Sequence, residues 1–350
     1  GGRIGSISSK PPGRRRHIPS YMKALRELFD LTRSSCVAKL EKVVHCRGGG
    51  AKVSIRTLDL EFLGTSELIA AFLAPVDRGF VLFESGPASG GGALDREIKD
   101  AGHEIEDLKA VFVTHVHLDH SGGAGVLAQR TGCPVYCHPS GVEHLADPGK
   151  KLLPSAERLY GDMMEPLWGT TVSVPRAQAK AVDHGETVRI GDFEVRAWHT
   201  PGHAIHHVAW QIADAVVTGD VGGVRFPGAT HVLPPMPPPD IDVEEWKRSL
   251  NLLRGLEPRH LFLTHFGGFD DPARHLDELE DRLDRWTEVA RQVVGEDGDT
   301  AALGARLEDL DNREMKASNM SAETTGLYRK MCPMEGNSAG LFRFCVKAKS

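Results

Sequence analysis

The chain has 350 residues, 40% of them hydrophobic and 26% charged, with a formal net charge of -6. That is an ordinary globular balance with enough length for a sizeable core, and it gives no electrostatic reason to expect nucleic acid as a partner. No apolar run reaches the roughly 18 residues that a membrane-spanning helix needs, so no membrane partner is expected. Six cysteines are too few to staple a chain this long, which makes the reducing cytoplasm the expected compartment.

Residues 1–50 stand apart. They carry Arg14, Arg15 and Arg16 and several serines, with Glu27, Asp30 and Glu41 as their acids. With helical periodicity from Tyr21 to Leu31, this basic start is expected to be a disordered extension, an organelle-targeting segment being the alternative. Gly48-Gly49-Gly50 reads as a linker. Residues 51–295 are expected to form the main domain, and residues 296–350 a helical extension packed on it.

From Val53 to Leu63 the pattern alternates loosely, as a strand does. Phe80 to Phe83 is a second strand, running into a turn at Glu84-Ser85-Gly86-Pro87. A helix over Leu94 to Ala101, a strand over Leu108 to Thr114, a helix over Ser121 to Arg130 and a strand over Pro134 to His138 follow, with Cys133 and Cys137 expected as buried thiols. Strand, helix, strand at this spacing is α/β. Residues 138–174 are expected to form short helices and loops over the site. Thr187 to Trp198 reads as a hairpin about Gly191-Asp192, and Val208 to Gln211 and Ala215 to Thr218 add two strands. Gly222 to Asp240 contains Pro234-Pro235-Met236-Pro237-Pro238-Pro239, which excludes helix and inner strand and predicts an extended surface loop. Val243 to Leu256 is a helix, Leu261 to Thr264 a strand, Leu276 to Val294 a long amphipathic helix, and the remainder mostly helix.

Seventeen histidines are many, and they cluster. In Thr114-His115-Val116-His117-Leu118-Asp119-His120-Ser121-Gly122-Gly123, a strand delivers His115 at its end and the tight spacing wraps imidazoles and a carboxylate around one point. Neutral imidazole and carboxylate suit zinc, iron and similar divalent ions. His203 follows a Thr-Pro-Gly turn after a strand, Asp220 follows Thr218-Gly219, and His265 follows Leu263-Thr264. Each candidate follows a run of strand-type residues, and strand-end loops are where layered α/β folds build their sites. His206 and His207 are candidates for the surroundings of the ligands. His138, His144, His231, His260 and His275 are expected to be structural or exposed.

His-x-His-x-Asp-His, then Thr-Pro-Gly-His, then Gly-Asp, then a late His resembles the signature of the metallo-β-lactamase superfamily, over roughly Val53 to Val294. The resemblance implies an αββα sandwich of two mixed sheets with helices outside, here with a helical C-terminal extension. It implies one metal position from His115, His117 and His203, a second from Asp119, His120 and His265, and Asp220 bridging them. The cofactors would be two divalent ions, zinc first, with iron or manganese as alternatives. Asp183-His184-Gly185-Glu186-Thr187 resembles the family's Asp-Gly-Asp-Thr turn, with His184 as a departure. The glyoxalase-II-like branch, with its helical C-terminal extension, is the nearest likeness.

The expected activity is hydrolysis of an ester-like bond in a small-molecule substrate, a thioester, lactone or related group. It would use a metal-bound hydroxide between ions about 3.5–4 Å apart, with Asp119 as proton shuttle. Arg225 is a candidate anchor for a substrate carboxylate, a surface ion pair being the alternative. Val221-Gly222-Gly223-Val224-Arg225 stands where glyoxalase II and persulfide dioxygenases carry a Gly-Cys-Gly-Arg stretch. No Tyr lies between His203 and Asp240, which counts against a quorum-quenching lactonase. A mononuclear iron persulfide dioxygenase built on His115, His203 and Asp220 is the second reading, and a non-catalytic metal-binding regulatory protein the third. A homo-oligomer is compatible with all three.

Overall fold

A computed structural model of the chain describes residues 43–48 and 51–349. The helix expected over Tyr21 to Leu31 and the residues before Val43 lie outside them. Two mixed sheets face each other. The larger runs β1 (Val43–Gly48), β2 (Ala51–Asp59), β3 (Ala70–Val76), β4 (Gly79–Phe83), β5 (Leu108–Phe112), β6 (Val135–Cys137) and β7 (Ala179–Ala181) in sequence order across the sheet. Its pairings are antiparallel from β1 to β4 and parallel from β4 to β7. The smaller orders β13 (Gly267–Phe269), β12 (His260–Leu263), β11 (Ala215–Val217), β10 (Val208–Ile212), β9 (Phe193–His199) and β8 (Thr187–Ile190). Helices Gly91–Asp100 and Ala124–Thr131 make the first two crossovers of the first sheet, Val142–Ala146, Leu152–Tyr160 and Met164–Trp168 lie in the third, and Val243–Gly255 joins the parallel pair β11 and β12 of the second.

Burial explains the sequence pattern. β4 and β5 are apolar almost throughout because helices cover one face and the other sheet the opposite face, whereas β9 alternates between buried and exposed. Phe72 packs edge-on against Phe262 at 5.2 Å and Phe112 against Trp210 at 5.2 Å, and these pairs join the two sheets. At the site end the sheets are also laced by hydrogen bonds, from Val208 N to Thr114 O (2.7 Å), Ala70 N to Thr264 O (2.8 Å) and Trp210 Nε1 to Val113 O (3.1 Å).

Several expectations change. Gly48 is no linker: it ends β1 and pairs with Ala51, so the first sheet begins inside the stretch assigned to the extension. β3, β7 and β13 had no strand signature. The expected helix over Ser121 to Arg130 is two, Leu118–Ser121 and Ala124–Thr131. Most telling is the Pro-rich segment, which is not a surface loop: His231 to Met236 are all buried. Helices Thr300–Ala317, Ala322–Met331 and Met334–Lys349 lie over it and over Pro272–Gly295.

That covering seam is polar at its centre. Arg282 is 1% exposed. Its guanidinium donates to Glu278 (2.7 Å), His231 Nδ1 (3.0 Å), Asp311 (3.4 Å) and Glu314. Tyr328 donates its hydroxyl to His231 O. Cys46, Cys133, Cys137, Cys332 and Cys345 are free and buried. No helix among the described residues is long and apolar enough to cross a membrane.

Candidate metal centre

Four strand ends bring the candidate ligands together. β5 delivers His115 and the loop holding His117, Asp119 and His120, while β9 leads into the turn carrying His203. β11 leads to Asp220 and β12 to His265. His117 Nδ1 lies 2.9 Å from His115 Nε2 and 3.0 Å from His203 Nε2. On the other side His120 Nε2 and His265 Nε2 face Asp119 Oδ2 at 3.6 and 3.5 Å. Asp220 sits between, with Oδ1 3.2 Å from His120 Nε2 and 3.3 Å from His265 Nε2, and Oδ2 3.3 Å from His203 Nε2.

These residues fit divalent metal on their own chemistry. His203 Nδ1 donates to Pro235 O at 2.8 Å and His265 Nδ1 to Leu68 O at 2.9 Å, so each ring turns its Nε2 lone pair toward a carboxylate oxygen. Lone pairs facing lone pairs at these distances need a proton or a cation between them. His120 Nε2 and Asp220 Oδ1 are both buried without a hydrogen-bond partner. Three imidazole nitrogens also converge on the other side, where a single proton can serve only one contact at a time.

The electrostatics divide the cluster. Burial, then neighbouring imidazolium charge, pushes His115 well below its ordinary range and His117 down to about 3, leaving neutral ligands. Burial works against charge at His265 too, but Asp220 and Asp119 outweigh it and lift the ring to about 9. At Asp119 burial is outweighed by His120 and the hydrogen-bonding His265, which hold the carboxyl down at about 2. A divalent cation neutralises these carboxylates as protons on the rings do, while leaving the nitrogens free to ligate.

Glu84, read in the sequence as part of a turn, is the residue that pattern reasoning missed. It is fully buried. Its carboxylate accepts from His120 Nδ1 (2.9 Å), Thr114 N (3.1 Å), Thr114 Oγ1 (2.5 Å) and Thr264 Oγ1 (3.1 Å). It thereby orients one candidate ligand, His120, and ties together the strand ends carrying two others, His115 and His265. The available signal was its place directly after an apolar strand, in register with the other strand-end candidates. His207 stacks on His115 at 5.1 Å and takes Thr200 Oγ1 at 2.8 Å. His206 lies against His115 and His117 at 6.2 and 5.8 Å between ring centres.

Arg225 is placed otherwise than expected. It is 7% exposed, with Nη1 on Asp271 (2.6 Å), Nε on Ala229 O (2.8 Å) and the guanidinium over Phe269 at 4.3 Å. The guanidinium is buried while its partner Asp271 is half-buried, so the arginine's charge is met by protein groups rather than left free. Its backbone is nearer the chemistry, since Arg225 N donates to His265 O at 2.8 Å. A further acid–His group, His231 with Asp311 and Glu314, already holds a cation in the guanidinium of Arg282.

The turn that presents His203 admits only glycine at 202, where φ is +138° and an added Cβ would stand 2.4 Å from Trp246 Cα. Gly202→Ala should therefore lower stability by about 2 kcal/mol or more through strain and displacement of the Trp246 helix. Urea unfolding measures this, and an unchanged midpoint would refute the packing described.

Fold and site together define a class: an αββα sandwich with a paired His/Asp centre suited to divalent metal. The profile of the metallo-beta-lactamase superfamily matches residues 69–265, and the chain belongs to that superfamily. A metallo-beta-lactamase fold-containing protein of Sulfurisphaera tokodaii is 30% identical over 183 residues, 52% of this chain and 69% of the relative. A solved archaeal superfamily structure from Sulfolobus tokodaii superposes with TM-score 0.57 at 22% identity, covering 85% of this chain and 98% of that one. A family protein of Thermus thermophilus gives 0.59 at 18%, covering 84% and 94%. Both establish the fold. The atrochrysone carboxyl ACP thioesterase of Aspergillus fumigatus is 28% identical over 59% of this chain and 39% of its own length.

Proposed function

We propose that the chain is a metal-dependent hydrolase of an ester-like bond in a small molecule, a thioester first and a lactone or related ester second. The observation that carries this reading is Asp220, whose two oxygens divide between His203 on one side and His120 and His265 on the other. A carboxylate so placed suits two ions, and the second position is complete in Asp119, His120 and His265. Two divalent ions, zinc in the simplest case, would supply the Lewis acidity that makes hydroxide available at neutral pH and polarises a carbonyl. Asp119 takes the proton-handling role because its side chain is 17% exposed against 5% for Asp220, so it is the acid a substrate can reach. The thioesterase relative and the helical extension favour a thioester within the glyoxalase-II-like part of the superfamily. A cytoplasmic home, without nucleic acid or membrane as partner, belongs to the same reading.

Metal analysis and paired assays test it. Protein reconstituted with excess zinc should carry close to two ions per chain and cleave members of a thioester and lactone panel. The competing iron dioxygenase reading needs one Fe(II) with open positions. Oxygen uptake with glutathione persulfide at one iron per chain, with no cleavage of any ester, would replace the hydrolase reading. No metal bound after reconstitution with zinc, manganese and iron would end both.

A further inference from the structure

Helix Met334–Lys349 reaches the candidate ligand His203 through one peptide unit. His203 Nδ1 donates to Pro235 O at 2.8 Å. The next backbone N–H, that of Met236, donates to Asn337 Oδ1 at 2.8 Å. Pro235 C=O and Met236 N–H belong to the same planar peptide group, where they point in opposite directions. Fixing one end of that plane therefore fixes the other. Asn337 lies on helix Met334–Lys349 and is 3% exposed, and Met236 is fully buried. One turn further along the helix, Gly340 lies against the other polar group of the same residue: a Cβ there would stand 2.0 Å from Met236 O. Upstream the loop is held at His231 by Asp311, Arg282 and Tyr328, whereas Pro235 and Met236 meet the C-terminal helices at Asn337 and Gly340. The loop's ladder contact is the isolated bridge between Val224 and Leu233, and Pro235 has no N–H to contribute.

We propose that Asn337 is a positioning residue for the metal ligand His203, acting across the Pro235–Met236 peptide, and that Gly340 permits the close approach this requires. The proposal rests on reading His115, His117 and His203 as a metal position. Its consequence is selective: the pin bears on that position and not on Asp119, His120 and His265, whose imidazoles are anchored by Glu84 and Leu68 O.

The test separates the two positions. In a His265→Ala background the His115–His117–His203 position keeps its full set of imidazoles; in a His203→Ala background the other position does. Zinc affinity is read in each by chelator competition, with folding checked by circular dichroism. Asn337→Ser, which withdraws the acceptor oxygen, should cost about tenfold or more in zinc affinity in the His265→Ala background, the scale seen for outer partners of metal ligands. In the His203→Ala background it should cost little. Asn337→Asp keeps an acceptor in place and should recover most of the loss. Gly340→Ala, with the carboxamide intact but the peptide pushed away, should reproduce the selective effect.

Equal losses in both backgrounds, no loss in either, or an Asp variant as poor as the Ser variant would overturn the proposal. So would failure of both Asn337→Ser and Gly340→Ala to fold where the two background variants do, since the contact would then be plain support. If His265→Ala protein binds no zinc, the metal position itself fails; zinc binding untouched by Asn337→Ser removes only the positioning role.

Discussion

Exchanging Asp119 for asparagine should cut turnover by about a hundredfold or more, with the protein folded and still holding at least one metal. The substitution keeps the shape and one acceptor oxygen of the side chain but removes its charge and its capacity to carry a proton. Asp119 Oδ2 contributes at 3.5–3.6 Å to the side formed by His120 and His265, while the contacts that join His117 to His115 and His203 do not involve it. The loss should therefore appear in kcat more than in the occupancy of that side. Turnover, metal content and circular dichroism on one preparation check it. Near wild-type turnover would show that Asp119 is neither proton carrier nor needed ligand.

The second large effect is on stability. Glu84→Ala should destabilise the fold by about 3–5 kcal/mol, the range for removing one partner of a buried charged network. That is a large share of the roughly 5–15 kcal/mol by which domains are stable. The alanine would strand the Thr114 N–H, two threonine hydroxyls and His120 Nδ1 in a region without water access, and it would leave a cavity. Glu84→Gln should fall between, because it keeps an acceptor oxygen but turns an N–H toward groups that are themselves donors. Urea unfolding of both variants decides the matter: an alanine variant as stable as the parent would mean the four hydrogen bonds are incidental.

The clustering of the candidate ligands was legible because tight local spacing at a strand end, as in His115 to His120, is short-range information. Amphipathic and alternating elements such as Leu276 to Val294 and the hairpin about Gly191 were legible for the same reason. What escaped depends on partners distant in the chain. The strand Ala70–Val76 is apolar on both faces because a sheet and helices cover it, and such a run has no period to separate strand from helix. Gly267–Phe269 has no strand propensity and is a strand only because Leu261 to Leu263 pairs with it. The prolines from 234 onward correctly ruled out helix and inner strand, but exposure did not follow, since residues 300–349 fold over that loop. Glu84 offered only its place at a strand end, because the four donors that give it a role come from residues 114, 120 and 264.

The buried guanidinium of Arg282 bears on how the molecule comes apart. Its partners are drawn from the Pro-rich loop, its own helix and the first C-terminal helix. Lifting the C-terminal helices away would leave that charge without Asp311 and Glu314 and would uncover the part of helix Pro272–Gly295 they pack against in the same movement. Sandwich and extension should consequently unfold together, as one calorimetric transition rather than two, and removing the extension should cost the sandwich its stability as well.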